Sequence, residues 1–189
     1  DVAPSRGLGD VYKRQILQLM QHSSGIADYR NEKGFDVSAD YRPEQLIETV
    51  AAIPLAFEPG TDVKQSATNF LLLTSIIEKT GKMPYHDFVK KYQIDYLGLK
   101  QTFFGEDLAK VKQEDVTLTG NVHQTFKKNK DYINPSETTT GYVEKEGRLV
   151  AAPAVSPTAL KGFSDIWASA ENVSHWDIGL AGSALIEKP

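Results

Sequence analysis

The sequence predicts a mostly helical fold with a minor β component, and three observations carry that expectation. Segments 43–53 and 66–80 repeat apolar residues at helical spacing. Segment 142–150 flanks a Glu-Gly pair with strand-like residues, as a hairpin does. The 189 residues have ordinary globular composition, 40% hydrophobic and 24% charged, enough for one cored domain or a large piece of a bigger one.

The first fifteen residues, Asp1 to Gln15, show no sustained period, and the apolar pattern starts only at Ile16. They read as a non-native leader, a translated junction, and are set aside from fold reasoning; a disordered arm is the other reading. Ile16, Leu17, Leu19 and Met20 end a short helix that stops at the small-residue turn His22-Ser23-Ser24-Gly25. Residues 26–42 are polar and loop-like. Pro43 suits the first position of a helix, where its missing N–H would be unpaired anyway. Leu46, Ile47, Val50 and Ile53 give that helix its apolar face, and Pro54 ends it.

Phe57-Glu58-Pro59-Gly60-Thr61 is a tight turn. The most hydrophobic segment follows, Ser66 to Thr80. Phe70, Leu72, Leu73, Ile76 and Ile77 cover most of its circumference, which predicts a helix buried nearly all round. Gly81 sits where a left-handed cap belongs. A helix is expected over Pro84–Tyr92 with Phe88, Val89 and Tyr92 inward, and a strand around Val116, Leu118 and Gly120. The hairpin turns at Glu146-Gly147. Ser169 is placed as an N-cap with Glu171 in the first turn, and Val173, Trp176, Asp177, Leu180 and Ala184 follow at helical spacing to Leu185.

Several function classes are excluded or unsupported. Net charge is −4, which gives no electrostatic footprint for nucleic acid or anionic lipid, and the run Lys127-Lys128-Asn129-Lys130 reads as a solvated turn. No stretch approaches the length of a membrane span. There is no cysteine, hence no disulfide, thiolate zinc site or cysteine nucleophile. His22, His86, His123 and His175 form no metal-ligand spacing, and each reads as a surface or satisfied histidine. No phosphate-binding glycine loop or dinucleotide fingerprint is present, so no cofactor is expected. The pairs Glu106-Asp107 and Glu114-Asp115 are adjacent rather than facing and read as solvated loops. Trp167 and Trp176 read as core anchors. Lys79-Thr80-Gly81 spells a K-T-G triplet, but it closes a helical run and is taken as a chance match.

Taken together, several blocks resemble the β-lactamase-like serine hydrolases, the family of penicillin-binding proteins, class C β-lactamases and D,D-peptidases. Leu17-Gln18-Leu19-Met20-Gln21-His22-Ser23-Ser24-Gly25-Ile26 is similar to the family's "LLxHTSG" stretch. Phe57-Glu58-Pro59-Gly60-Thr61 is similar to its "FxPGT" turn, and Ala67 to Gly81 to the "NTNYLLLGxIIEKVTG" helix that follows. Tyr85-His86-Asp87-Phe88-Val89 and Tyr96 to Thr102 resemble "Y-x-x-F-V" and "PLGMxxT", and Ala168 to Val173 resembles the "STAxDL" helix start, with Trp176 at a frequent tryptophan position. The blocks keep their order over residues 16–186.

The resemblance implies an α+β fold of β-lactamase/transpeptidase type, with a helical lobe beside an antiparallel sheet. Residues 16–189 would be a partial domain, mostly helical lobe and incomplete at both ends. It implies acyl-enzyme hydrolysis of an amide or ester, such as a β-lactam, a peptidoglycan stem peptide or a small ester, and a periplasmic or secreted location. The family's nucleophile needs S-x-x-K, which puts a lysine one helical turn after the serine. No serine of this chain has lysine at that place, so the chain itself is expected to be inactive. The family's Y-x-N motif falls on Gln65-Ser66-Ala67. Gln65 cannot ionise, and Ala67 cannot hydrogen-bond a substrate through its side chain. Ser66 is either a stand-in proton shuttle, as in the S-D-N form of the motif, or the cap of the following helix. Gln65 and Ser66 are therefore the candidate site residues. The alternative is a non-catalytic binding module on the same fold.

Overall fold

A computed structural model describes residues 16–107, 139–182 and 184–186. The leader, the strand expected around Val116–Gly120, the basic run at 127–130, His123 and Glu114-Asp115 lie outside the described residues. The chain divides into two compact units, Asp1–Lys82 with Thr158–Ser164, and Met83–Pro157 with Asp165–Pro189.

In the first unit, helix α1 (residues 16–20) runs into the turn at His22, which takes a left-handed φ of 58°. Helix α2 (Pro43–Ala51) begins as expected, with Pro43 at its first position and the Gln45 side chain accepting the Arg42 N–H at 2.9 Å. Leu46 and Val50 are buried, and Ile47 and Ile53 pack partly buried against the same core. That core is Tyr29, Leu46, Val50, Ala67 and Leu71. Tyr29 Oη donates to the Ala159 carbonyl at 2.8 Å, and Gly162 comes close enough to helix α3 (Ala67–Gly81) that a Cβ there would meet Thr74 Cγ2 at 2.2 Å.

Two details of α3 differ from expectation. Its fully buried residues are Ala67, Thr68, Asn69, Leu71 and Thr74, while Phe70, Leu72, Leu73, Ile76 and Ile77 are half-buried. The hydrophobic residues set the helix, but the hydrogen-bond partners of its first turn choose which face turns inward. Gly81 is the last helical residue, and the left-handed cap falls one residue later at Lys82, φ 52°. Lys79-Thr80-Gly81 is helical, as the chance-match reading requires.

In the second unit, helix α4 (Tyr85–Val89) continues into a π-helical turn over Lys90–Ile94, closed by Asp95 N–H to the Lys90 carbonyl at 2.8 Å. The widened turn rotates Tyr92 outward, so Val89 is buried and Tyr92 exposed, contrary to the expected inward position. Strand β1 (Thr102–Phe104) pairs antiparallel with β4 (Ile166–Ala168), Phe103 opposite Trp167. Strands β2 (Tyr142–Lys145) and β3 (Arg148–Ala151) form the expected hairpin. Glu146 and Gly147 both have positive φ, 53° and 74°, as a two-residue turn matched to strand twist demands.

Helix α5 (Ala170–Ala181) starts as expected: Ser169 Oγ accepts the Asn172 N–H at 3.1 Å, with Glu171 in the first turn. It stops at Ala181 rather than Leu185, with Gly182 as its C-cap. Its buried residues are Asn172 and Gly179, not the stripe Val173, Trp176 and Leu180. Asn172 Oδ1 accepts from Gln101 N–H at 2.8 Å and Thr102 Oγ at 3.1 Å, and a Cβ on Gly179 would meet Leu97 Cδ2 at 2.8 Å. Those contacts fix the helix rotation. Trp167 and Trp176 are accordingly 39% and 37% exposed and are not core anchors among the described residues. Trp176 Nε1 donates to Gln93 Oε1 at 3.0 Å.

Candidate functional site

Gln65, Ser66 and Ala67 occupy the step into α3, where the blocks Leu17–Ile26 and Phe57–Thr61 meet the start of that helix. Three backbone bonds tie the His22–Gly25 turn to the 56–64 segment: Ala56 N–H to Gly25 O at 2.8 Å, Gly60 N–H to Ser23 O at 2.8 Å, and Lys64 N–H to His22 O at 3.0 Å. Gly25 is required at this contact. Its φ is +76°, and a Cβ would stand 2.2 Å from the Phe57 carbonyl oxygen. The two turns border a surface cleft of about 420 Å³ lined by Leu17, Gln21, Ser23, Gly60 and Val63 among others.

Gln65 is exposed, whereas Ser66 is only 2% exposed. The Ser66 hydroxyl donates to the Ala27 carbonyl at 3.3 Å, and its N–H donates to His22 Nδ1 at 3.2 Å. Thus the imidazole lone pair beside Ser66 is aimed at the backbone amide and not at the hydroxyl, which is the wrong arrangement for activating that oxygen. Ser66 stands at the N-cap position, yet its side chain makes no capping bond. The cap is supplied from elsewhere: Asp28 Oδ2 accepts the Ala67 N–H at 3.1 Å. A carboxylate there also complements the positive end of the helix dipole. Thr68 Oγ1 accepts the Tyr29 N–H at 3.1 Å and donates to the Ala27 carbonyl at 2.7 Å.

Asp28 is held by Arg30, whose guanidinium reaches it at 2.6 Å and lies 4.4 Å above the Phe163 ring. Burial alone would raise the Asp28 carboxyl, but the Arg30 side chain and the backbone N–H groups of Arg30 and Ala67 outweigh it and hold the group below the usual carboxylate range. Asn69, with 0% exposure, accepts from Ser24 Oγ at 2.7 Å and turns its amide nitrogen to His22 Nδ1 at 3.3 Å. The sequence pattern does not single out Asp28, Arg30 or Asn69. Asn69 lies within a block resembling the family helix, but its partners are more than forty residues away in the chain.

A second group of titratable residues lies in the other unit. His86 stacks on Phe104 with ring centroids 3.9 Å apart, its Nε2 is 3.2 Å from Asp165 and its Nδ1 3.5 Å from Glu106. The Tyr85 phenol is pushed far above its ordinary range, first by burial and then by the Asp165 charge. Among the described residues no cluster of His, Asp and Glu could hold a metal ion, and no helix is long and apolar enough to cross a membrane.

This architecture has solved counterparts. A D-stereospecific amidohydrolase from Streptomyces sp. superposes with a TM-score of 0.70 at 20% identity, over 92% of this chain and 48% of that one. D-amino acid amidase from Ochrobactrum anthropi SV3, in complex with D-phenylalanine, gives 0.68 at 14% identity, over 92% and 46%. A penicillin binding protein from Bacillus halodurans gives 0.63 at 17% identity, over 91% and 47%. The chain thus spans about half the length of these structures. A search of curated protein sequences gave no match. The fold is therefore α+β, of β-lactamase/transpeptidase type. Residues 10–188 match the Beta-lactamase family profile, and the chain belongs to that family.

Proposed function

We propose that the protein carrying this sequence is a serine hydrolase that opens an amide or ester carbonyl through an acyl-enzyme, and that the 189-residue chain by itself is inactive. The family match over residues 10–188 is the observation that carries the first part. Amide substrates gain support from the two amide-hydrolysing structural counterparts. The missing S-x-x-K carries the second part, since without a serine and its lysine no acyl-enzyme of the family's kind can form. Within the site, Gln65 is the exposed group, and its side chain can only donate or accept hydrogen bonds. Ser66 would have to leave the Ala27 carbonyl to act as a shuttle.

The purified chain should give no steady turnover of a chromogenic cephalosporin, a nitrophenyl ester or a D-amino acid amide. Turnover left unchanged by Ser66→Ala would overturn both the inactivity and the site. A second reading, a non-catalytic binding module, is favoured by the un-ionisable Gln65 and the buried Ser66 hydroxyl. Sequencing the gene upstream of residue 16 separates the two. An in-frame S-x-x-K supports the hydrolase; native sequence continuing without it supports the binding module.

A further inference from the structure

The polarity of the network under Gln65–Ser66 follows from a single backbone amide. The Ser66 N–H can only donate, and it faces His22 Nδ1 at 3.2 Å, so that nitrogen carries a lone pair and no proton. Asn69 must then present its NH₂ to the same nitrogen at 3.3 Å, which leaves Asn69 Oδ1 toward Ser24. The Ser24 hydroxyl must donate to it, at 2.7 Å, and its own oxygen accepts the Ile26 N–H at 3.2 Å. Each step forces the next, and the chain of bonds runs in one direction only.

We infer that His22 is the positioning residue of the Gln65–Ser66–Ala67 step, and that it works as the neutral imidazole bearing its proton on Nε2. The inference rests on the reading of 65–67 as the site. His22 holds the step from two sides: its ring nitrogen takes the Ser66 N–H, and its own carbonyl takes the Lys64 N–H at 3.0 Å. The ring is fixed against Phe70, centroids 5.1 Å apart. A second proton on the imidazole would put an N–H against the N–H of Ser66 and release the step. The charged groups on the segments that meet here are Asp28, capping Ala67 and paired with Arg30, and the exposed Glu58, Asp62 and Lys64. None of them is hydrogen-bonded to the ring among the described residues.

The test uses the whole 189-residue chain. Long-range nitrogen–proton NMR of the imidazole should show a lone pair on Nδ1 and the proton on Nε2. On acidification from about pH 8 to about pH 5, the Ser66 amide should lose protection against exchange by about tenfold more than the Tyr29 amide, after correction for intrinsic rate. His22→Asn keeps an acceptor near the Nδ1 position and tolerates the left-handed φ of 58°. It should retain Ser66 protection and lose the acid step. His22→Leu should lose the protection at every pH. A proton on Nδ1, a Ser66 amide indifferent to acid, or an Asn variant no better protected than Leu would each overturn the inference. Should the Leu variant fail to fold, the tautomer and the acid step in the unaltered chain still decide. No ligand enters these measurements, so they can fail while the assignment of 65–67 stands, and substrate assays can reject that assignment while the positioning role of His22 holds.

Discussion

Replacing Gly25 with alanine should be among the most damaging single changes in the first unit. Two effects add. Alanine at φ +76° costs about 1–2 kcal/mol for the left-handed backbone. Its Cβ would also stand 2.2 Å from the Phe57 carbonyl oxygen and 3.3 Å from the carbonyl carbon, where the opposing atoms are backbone and cannot swing aside. The turn must shift, and the 2.8 Å bond from Ala56 N–H to the Gly25 carbonyl is strained or lost, at about 1 kcal/mol more. The expected loss is about 3 kcal/mol, roughly a hundredfold in the opening equilibrium. Gly34 is the matched control. It has φ +96°, and a Cβ there would meet nothing within 4 Å, so Gly34→Ala should bear only the backbone cost, about 1–2 kcal/mol. Both tryptophans, Trp167 and Trp176, lie in the other unit, so fluorescence is the wrong probe. Hydrogen exchange of the α3 amides reads the first unit directly. Equal losses at the two glycines would refute the contact argument, and no loss at Gly25 would refute the packing of the two turns.

Asp28→Asn should destabilise the first unit by about 1–3 kcal/mol, because Arg30 and the Ala67 N–H lose a charged acceptor. Since the folded Asp28 value is depressed below 3.8, its stabilisation is complete above the ordinary carboxylate range and disappears as pH falls through the lower folded value. Acid titration of α3 exchange should show this dependence in the unaltered chain and not in the variant. Tyr29→Phe removes the bond to the Ala159 carbonyl and should cost about 1–2 kcal/mol, read by urea unfolding of the same amides. In the second unit, Ser169→Ala should cost about 1 kcal/mol by removing the α5 cap, and here tryptophan fluorescence is the suitable assay.

Local patterning makes several elements legible. Pro43 with its apolar face, the Glu146-Gly147 hairpin and the Ser169 cap all appear where the residues place them, because each depends on interactions within a few residues. The ordered blocks from Leu17 to Trp176 make the family legible, and the profile match establishes it. The buried face of α5 escapes such a reading, because helical spacing describes a stripe but not what the stripe meets. Asn172 bonding to Gln101 and Thr102 turns the helix, and Val173, Trp176 and Leu180 face outward. Tyr92 departs from its expected position for a similar reason, since nothing local announces the π-helical turn that rotates it.

By itself the sequence determined the short-range order: which segments are helix or hairpin, which family they belong to, and that neither cysteine nor an S-x-x-K pair is present. Only the tertiary structure decided how the step at Gln65–Ser66 is held. His22 reaches Ser66 and Asn69 across more than forty residues, and Asp28 supplies the cap that residue spacing assigns to Ser66. The physical reason is that a buried polar group must find a partner somewhere. Sequence spacing names the groups that need one, and only the fold brings the partner within about 3 Å.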